Sequence, residues 1–312
     1  MDQVLLAMAK KLGEIVPFIG GPDHTHILVP LLERLCSSED TVVHTAAGLS
    51  ASRILQQIDP NVSSHSASAQ AFFALLKRLS TTDETNDIFY PKAAACLFIH
   101  EVYRVMPTVD EKAAVQEVYF ALCRDDMAIV RRAAAQAFPR VVKVASPELQ
   151  ASDFLEVLKS LSGLDEHQTV RILAIQTYVP YCLLLEQNGV IRGPTEDLVA
   201  LIKAAVDDPS WKVRLSIVKD FGSLATCFPA DVVSAEVFTC FVHLLQDSEA
   251  DVRALACESA LPFIDVVGAD VFLSEVVPIA VQLSGDATGC KCFAVVSIMY
   301  ECNHVYMNLP NG

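Results

Sequence analysis

Glycine and aromatic side chains are scarce in this chain. Twelve Gly among 312 residues and an aromatic share of 7% supply too few tight turns and too little ring area for a sandwich or barrel of many short strands. Long uncharged apolar runs are missing too. The longest near the middle, Ile172 to Leu185, has 14 residues and contains Pro180, short of the ~20 that a membrane-spanning helix needs. The N-terminus, MDQVLLAMAKKLGEIV, has no basic segment followed by an apolar core and a small-residue cleavage site, so it does not read as a secretory signal.

Positive charge is in short supply as well. Lys and Arg number 23 against 38 Asp and Glu, a formal net charge of −15. Such a chain repels a phosphate backbone unless a local basic stripe opposes the overall field. The densest basic spots, Lys10-Lys11 and Arg131-Arg132, are isolated pairs, and the linear sequence shows no stripe. The composition therefore predicts a protein binder, with neither nucleic acid nor membrane among its partners.

Motifs for chemistry are absent as a group. No Walker loop, dinucleotide fingerprint or nucleophile elbow is present. His100-Glu101-Val102-Tyr103-Arg104 lacks the second histidine of a zinc protease, and Gly20-Gly21-Pro22 has no Lys-Ser/Thr after it and reads as a helix terminator. Cys290-x-Cys292 with Cys302-x-His304 has four metal-ligating side chains, but the C-x-C spacing departs from the usual C-x₂₋₄-C, and His24-x-His26 fits solvated residues at a helix start. The expectation is no enzyme, no cofactor and no metal. Ten cysteines without a signal sequence read as reduced, buried small residues of a cytoplasmic or nuclear protein. In that compartment the formal glycosylation acceptor Asn61-Val62-Ser63 stays unmodified.

What the chain does have is a period. Val-Arg recurs at Val130-Arg131, Val170-Arg171, Val213-Arg214 and Val252-Arg253, with Arg-to-Arg steps of 40, 43 and 39. Each follows an acidic turn, read here as Asp126, Asp165, Asp208 and Asp247. Toward the N-terminus the same ruler lands on Pro91-Lys92, Val43-His44 and Val4-Leu5. About 40 residues holding two helical patterns is the signature of HEAT or armadillo units, which bury their apolar faces by stacking. The first helix of each unit (A) shows apolar residues at three- and four-residue steps. The second (B) is more uniformly apolar, as in TVRILAIQTYVPYCLLL, which suits an inner layer touched by both neighbours. The fold class is all-α, an α-solenoid of stacked antiparallel helix pairs.

The array is expected over residues 1–286: a half repeat at 1–20, repeats at about 23–60, 66–107, 110–146, 149–189, 194–230 and 233–269, and a half repeat at 272–286. Residues 287–312 form an atypical tail. Pro139, Pro180 and Pro262, with Gly222 at the matching place, fall at one phase of their B helices, where a proline removes a helical bond and bends the axis. The recurrent acids and arginines predict a structural ladder of Asp165, Arg171, Asp208, Arg214, Asp247 and Arg253, neighbours pairing along the row of intra-repeat corners. Beside it, Arg132, Trp211 (the one tryptophan) and Phe89 are corner residues of the types that dominate interfaces.

Several segments go beyond the general repeat pattern: VLLAMAKKLG (4–13), GGPDHTHILVPLLERL (20–35), VRRAAA (130–135), TVRILAIQ (169–176), DDPSWKVRLSIVKDF (207–221) and DVRALA (251–256). They resemble the scaffold (A) subunit family of protein phosphatase 2A, over residues 2 to about 286. Ile88 and Ala128 stand where that family tends to have tryptophan and proline. The resemblance implies a noncatalytic platform whose corner row takes up regulatory (B-type) subunits, with Glu39, Asp40, Phe89, Asp126, Arg131, Arg132, Ser210, Trp211 and Lys212 as the contacts carried over. It reaches only the second to about the eighth of the family's fifteen repeats. The implied partner set is therefore regulatory subunits, with the catalytic subunit joining only where further C-terminal repeats are supplied. A transport receptor or adaptor of the karyopherin type, binding on its inner face, is the competing expectation. Tryptophan and acidic patches on that face would favour it.

Overall fold

The computed structural model describes residues 3–81, 88–190 and 195–284. Among them every regular element is a helix, and no strand occurs. The chain divides into two compact units, Met1–Ser146 and Pro147–Gly312.

The first unit opens with Gln3–Lys11. In place of one helix over residues 1–20, short 3₁₀ turns follow at Leu12–Glu14, Val16–Ile19 and Pro22–Leu28. Pro17 has no N–H to continue the ladder, and Gly20 closes the segment at a φ of 97°. Three helix pairs follow: Val29–Cys36 with Thr41–Leu55, Ser66–Ser80 with Tyr90–Ala95 and Ile99–Val105, and Val109–Cys123 with Ala128–Val144. First helices pack on first helices and second on second, so the unit has an A layer and a B layer. The cause is visible in Ser66–Ser80, where Phe72, Phe73, Leu75, Leu76 and Leu79 fall on one stripe and are all buried. Thr108 and Glu111 close a reciprocal capping box that starts Val109–Cys123.

In the second unit Asp153–Lys159 runs through a π turn at Ser160–Leu164 and pairs with Gln168–Ile175 and Tyr178–Gln187. Thr195–Val206 pairs with Trp211–Ala225. Phe238–Leu245, preceded by a π turn at Val233–Val237, pairs with Ala250–Glu258 and Leu261–Val267. The last described helix is Ala269–Ser284, which starts earlier than the 272 read from the sequence. Phe221, Phe238, Phe241, Phe263 and Phe272 interlock at its base, with ring centroids 4.6 to 6.4 Å apart. The tail at 287–312 lies outside the described residues.

Proline alone does not place the bends. Ala128–Val144 runs unbroken through Pro139, whereas the chain breaks just before Pro180 and Pro262, and breaks again at Cys96–Phe98 with no proline at all. Two glycines show what the breaks do in packing. A Cβ on Gly48 would lie 2.8 Å from the Ala94 carbonyl oxygen and 2.8 Å from a Leu97 methyl; one on Gly222 would lie 3.0 Å from Pro262 Cγ. In each case a B helix gives up its side chain where the next B helix bends toward it.

Every described helix pair holds at least one cysteine: Cys36, Cys96, Cys123, Cys182, Cys227, Cys240 and Cys257, all free and buried. Burial pushes each thiol up, Cys36 and Cys123 to about 12 and Cys227, Cys240 and Cys257 to about 11. These are packing residues, inert at neutral pH.

Candidate partner-binding ridge

Where an A helix turns into its B helix, the corner is built by one aspartate and one cation six residues later. Asp165, Asp208 and Asp247 each accept the backbone N–H two residues on, from His167, Ser210 and Glu249, at 2.8 to 2.9 Å. That tight local turn delivers the chain into the B helix. The arginine then reaches back: Nη1 of Arg171 donates to the Asp165 carbonyl at 2.8 Å, and Nη1 of Arg214 to the Asp208 carbonyl at 2.8 Å. Nη1 of Arg253 likewise donates to the carbonyls of Asp247 and Ser248.

The rest of each guanidinium reaches forward to the next corner. Arg171 donates from Nε and Nη2 to both carboxylate oxygens of Asp208, at 2.7 and 3.0 Å, and Arg214 does the same to Asp247, at 2.6 and 2.9 Å. Arginine suits this because its planar fork satisfies two geometries at once. The side chains are largely enclosed, 13% exposed for Arg214 and 3% for Asp247. Burial pushes the Asp247 carboxyl up, but the bonds from Arg214 and the Glu249 amide outweigh it, and the group titrates below the usual carboxylate range. The Arg214 guanidinium is held above its ordinary value, first by its bond to Asp247.

In the first unit Arg131 keeps the arginine at the third corner, while the two earlier ones carry Lys92 and His44. The acid in register is Asp125, not Asp126: it accepts the Met127 N–H at 3.0 Å, its carbonyl takes Arg131 Nη1 at 2.7 Å, and its carboxylate holds Lys92 Nζ at 2.5 Å. Asp126, its neighbour, is exposed and contributes a carbonyl to Arg131 at 3.0 Å. At the earliest corner His44 stands in for arginine, its Nδ1 3.0 Å from the Ser38 carbonyl six residues back. The ammonium of Lys92 makes a point contact, and the His44 imidazole meets the next corner only as a ring, tilted against Tyr90 with centroids 5.9 Å apart.

The residues proposed as contacts lie along these corners in different states. Glu39 and Lys212 are exposed, and Asp40 caps Thr41–Leu55 by accepting the Val42 N–H at 2.9 Å. Phe89 is half-buried, tilted against Tyr90 with centroids 4.4 Å apart. Ser210 donates its hydroxyl to Gln168 on the neighbouring corner at 2.6 Å. Trp211 is 36% exposed, with Lys212 Nζ 5.8 Å from its ring centroid. Arg131 is half-buried in the corner, whereas exposed Arg132 sits about one turn into Ala128–Val144. No cluster of three His, Cys, Asp or Glu side chains suited to a metal occurs among the described residues, and Cys290, Cys292, Cys302 and His304 lie outside them. No described helix is long and apolar enough to cross a membrane.

Paired helices in A and B layers, locked at the corners by a repeating Asp–Arg unit, define a HEAT-repeat α-solenoid. The fold agrees with a solved structure of the karyopherin Kap121p bound to Pho4p, with a TM-score of 0.65 over 94% of this chain and 30% of that one, at 13% identity. That likeness is one of fold. In sequence the chain is similar to regulatory subunits of protein phosphatase 2A (PP2A). It is 28% identical over 235 residues to the A-type regulatory subunit of PP2A from Schizosaccharomyces pombe, covering 75% of this chain and 38% of the relative. A probable PP2A regulatory subunit of Caenorhabditis elegans is 34% identical over 189 residues, 60% of this chain and 30% of the relative. The chain thus spans about a third of the length of these curated relatives. No family model matches it.

Proposed function

We propose that the chain is a noncatalytic scaffold subunit of protein phosphatase 2A complexes that presents its row of intra-repeat corners to B-type regulatory subunits, in the cytoplasm or nucleus. The observation that supports this reading most is Trp211, a tryptophan standing 36% exposed at a corner whose backbone the Asp–Arg network holds rigid. An aromatic anchor on a fixed backbone loses little conformational freedom on binding, the property that makes hot spots. Arg131 and Ser210 have structural work in the corners, so their part in contact is secondary to positioning. Glu39 and Asp126 are exposed at their own corners and Lys212 stands beside the anchor, and the catalytic subunit joins through further repeats.

Co-precipitation of purified chain with purified B-type regulatory subunits tests the reading. Retention of a regulatory subunit by the wild type, weakened about tenfold or more by Trp211→Ala with Lys212→Glu, is the expected result. Equal retention by the variant, or no retention by the wild type, overturns it.

A further inference from the structure

The charge of the B layer in the first unit runs against that of the molecule. Ala128–Val144 carries Arg131, Arg132, Arg140 and Lys143 and no acid at all, in a chain of net charge −15. Four positions, Arg132, Gln136, Arg140 and Lys143, follow at steps of four, four and three and so share one face of the helix. Three of the four are exposed and Arg140 is half-buried, while Ala134, Ala135, Ala137, Phe138, Val141 and Val142 take the opposite, buried side.

The neighbouring B helices extend this face. One and two repeats earlier in the chain, the position of Arg140 falls on Glu101 and then on Arg53, and that of Lys143 falls on Arg104. Arg53 is exposed. Glu101 is buried and bound by Arg104 Nε at 2.7 Å, so it does not offset the other cations, and Arg104 itself is spent on the Leu55 and Ile58 carbonyls. The electrostatic reach of Arg140 and Arg104 extends to His100 between them. Burial, aided by those two cations and opposed by Glu101, lowers that imidazole to about 4 and leaves it neutral. No carboxylate pairs with Arg53, Arg132, Arg140 or Lys143 among the described residues. The half-exposed aliphatic surface of Leu97 and the exposed Leu49 lie on the same row of helix faces.

We propose that this B-layer face, centred on Arg132, Arg140 and Lys143, is a second binding surface that takes an extended acidic peptide segment of a protein partner. The occupant follows from charge. Unpaired guanidinium and ammonium groups about one to two helix turns apart match carboxylates along an extended chain, and the leucines receive apolar side chains between them. A long nucleic acid would place many phosphates against the acidic remainder of the molecule, which a short peptide avoids. Arg132 stands at the edge of the corner row, but Arg140 and Lys143 lie about two and three helix turns beyond it, so the surface is tested apart from the ridge.

Fluorescence anisotropy with the purified full chain and a fluorescein-labelled peptide of alternating Glu and Ala tests it, with the Gln-for-Glu peptide as control. Saturable binding of the acidic peptide alone is expected, weakening with added salt and at least about tenfold in Arg140→Glu with Lys143→Glu. Circular dichroism and thermal melting establish that this variant is folded. If it is not, Arg53→Gln with Lys143→Gln, both at exposed positions, carries the test with a smaller loss in the same direction. Trp211→Ala should leave peptide binding unchanged, separating this surface from the ridge. No saturable binding, binding indifferent to both B-layer variants, or tighter binding of a single-stranded oligonucleotide of equal charge overturns the proposal.

Discussion

All three described corners of the second unit carry arginine, whereas two of the first unit's three carry lysine or histidine, and the difference shows what arginine contributes. In the second unit Arg171 and Arg214 each bond backward to their own corner and forward, through two hydrogen bonds, to the next. In the first unit Lys92 makes one contact with Asp125, and His44 bonds to its own corner, its ring meeting the next only by packing on Tyr90. The B faces differ in the opposite sense. Arg132, Gln136, Arg140 and Lys143 in the first unit correspond to Ile172, Gln176, Pro180 and Leu183 in the second. One unit concentrates its cations inside the ladder. The other leaves several of them facing outward.

The most severe way to break this comparison is to remove a ladder arginine. Arg214→Ala leaves Asp247 enclosed without its partner and should cost about 3 kcal/mol in urea unfolding. Lys92→Ala, which loses a single contact, should cost about 1 to 2 kcal/mol, and equal losses would erase the distinction between the units. Next come the glycines at the B-helix bends. Gly48→Ala drives a methyl into a backbone carbonyl and should cost about 2 kcal/mol, whereas Gly222→Ala meets mainly a proline ring edge and should cost under about 1 kcal/mol, helped by alanine's helix preference.

Acid should expose the second unit's ladder. Asp247 titrates below its ordinary 3.8 in the folded chain, so its stabilisation is complete above that value and drains away as the pH falls through the lower folded one. Stability measured from neutral pH downward should therefore fall less steeply in Asp247→Asn, already weakened at neutrality, than in the wild type. A parallel decline would show that the pair does not sense protons in this range. The smallest effect sharpens the comparison from the other side. Lys92→Arg gives the first unit a forked donor opposite Asp125 and should gain about 0.5 to 1 kcal/mol.

Much of this was legible along the chain because the Val-Arg steps report stacking directly: a buried valine and a corner cation recur where the B helices begin, with Pro91-Lys92 the exception. The register of the acid was harder, since Asp125 and Asp126 are adjacent and only the constant six-residue interval to the cation, seen once the hydrogen bonds are known, selects Asp125. Spacing alone places His44 at its corner, but its bond to the Ser38 carbonyl has no sequence signal. The bend at Cys96–Phe98 also carries no proline to announce it. The basic face escaped the linear reading altogether. Arg132, Arg140 and Lys143 are spread among apolar residues of one helix and align only through its periodicity, and only stacking adds Arg53, two repeats earlier, to the same side.

The buried thiols give the molecule a set of internal clocks. With at least one shielded cysteine in each described helix pair, a thiol reagent can react only at the rate at which that pair opens. Mass-resolved labelling of Cys36, Cys96, Cys123, Cys182, Cys227 and Cys257 would then time, pair by pair, where the stack parts first, without any residue being introduced as a probe.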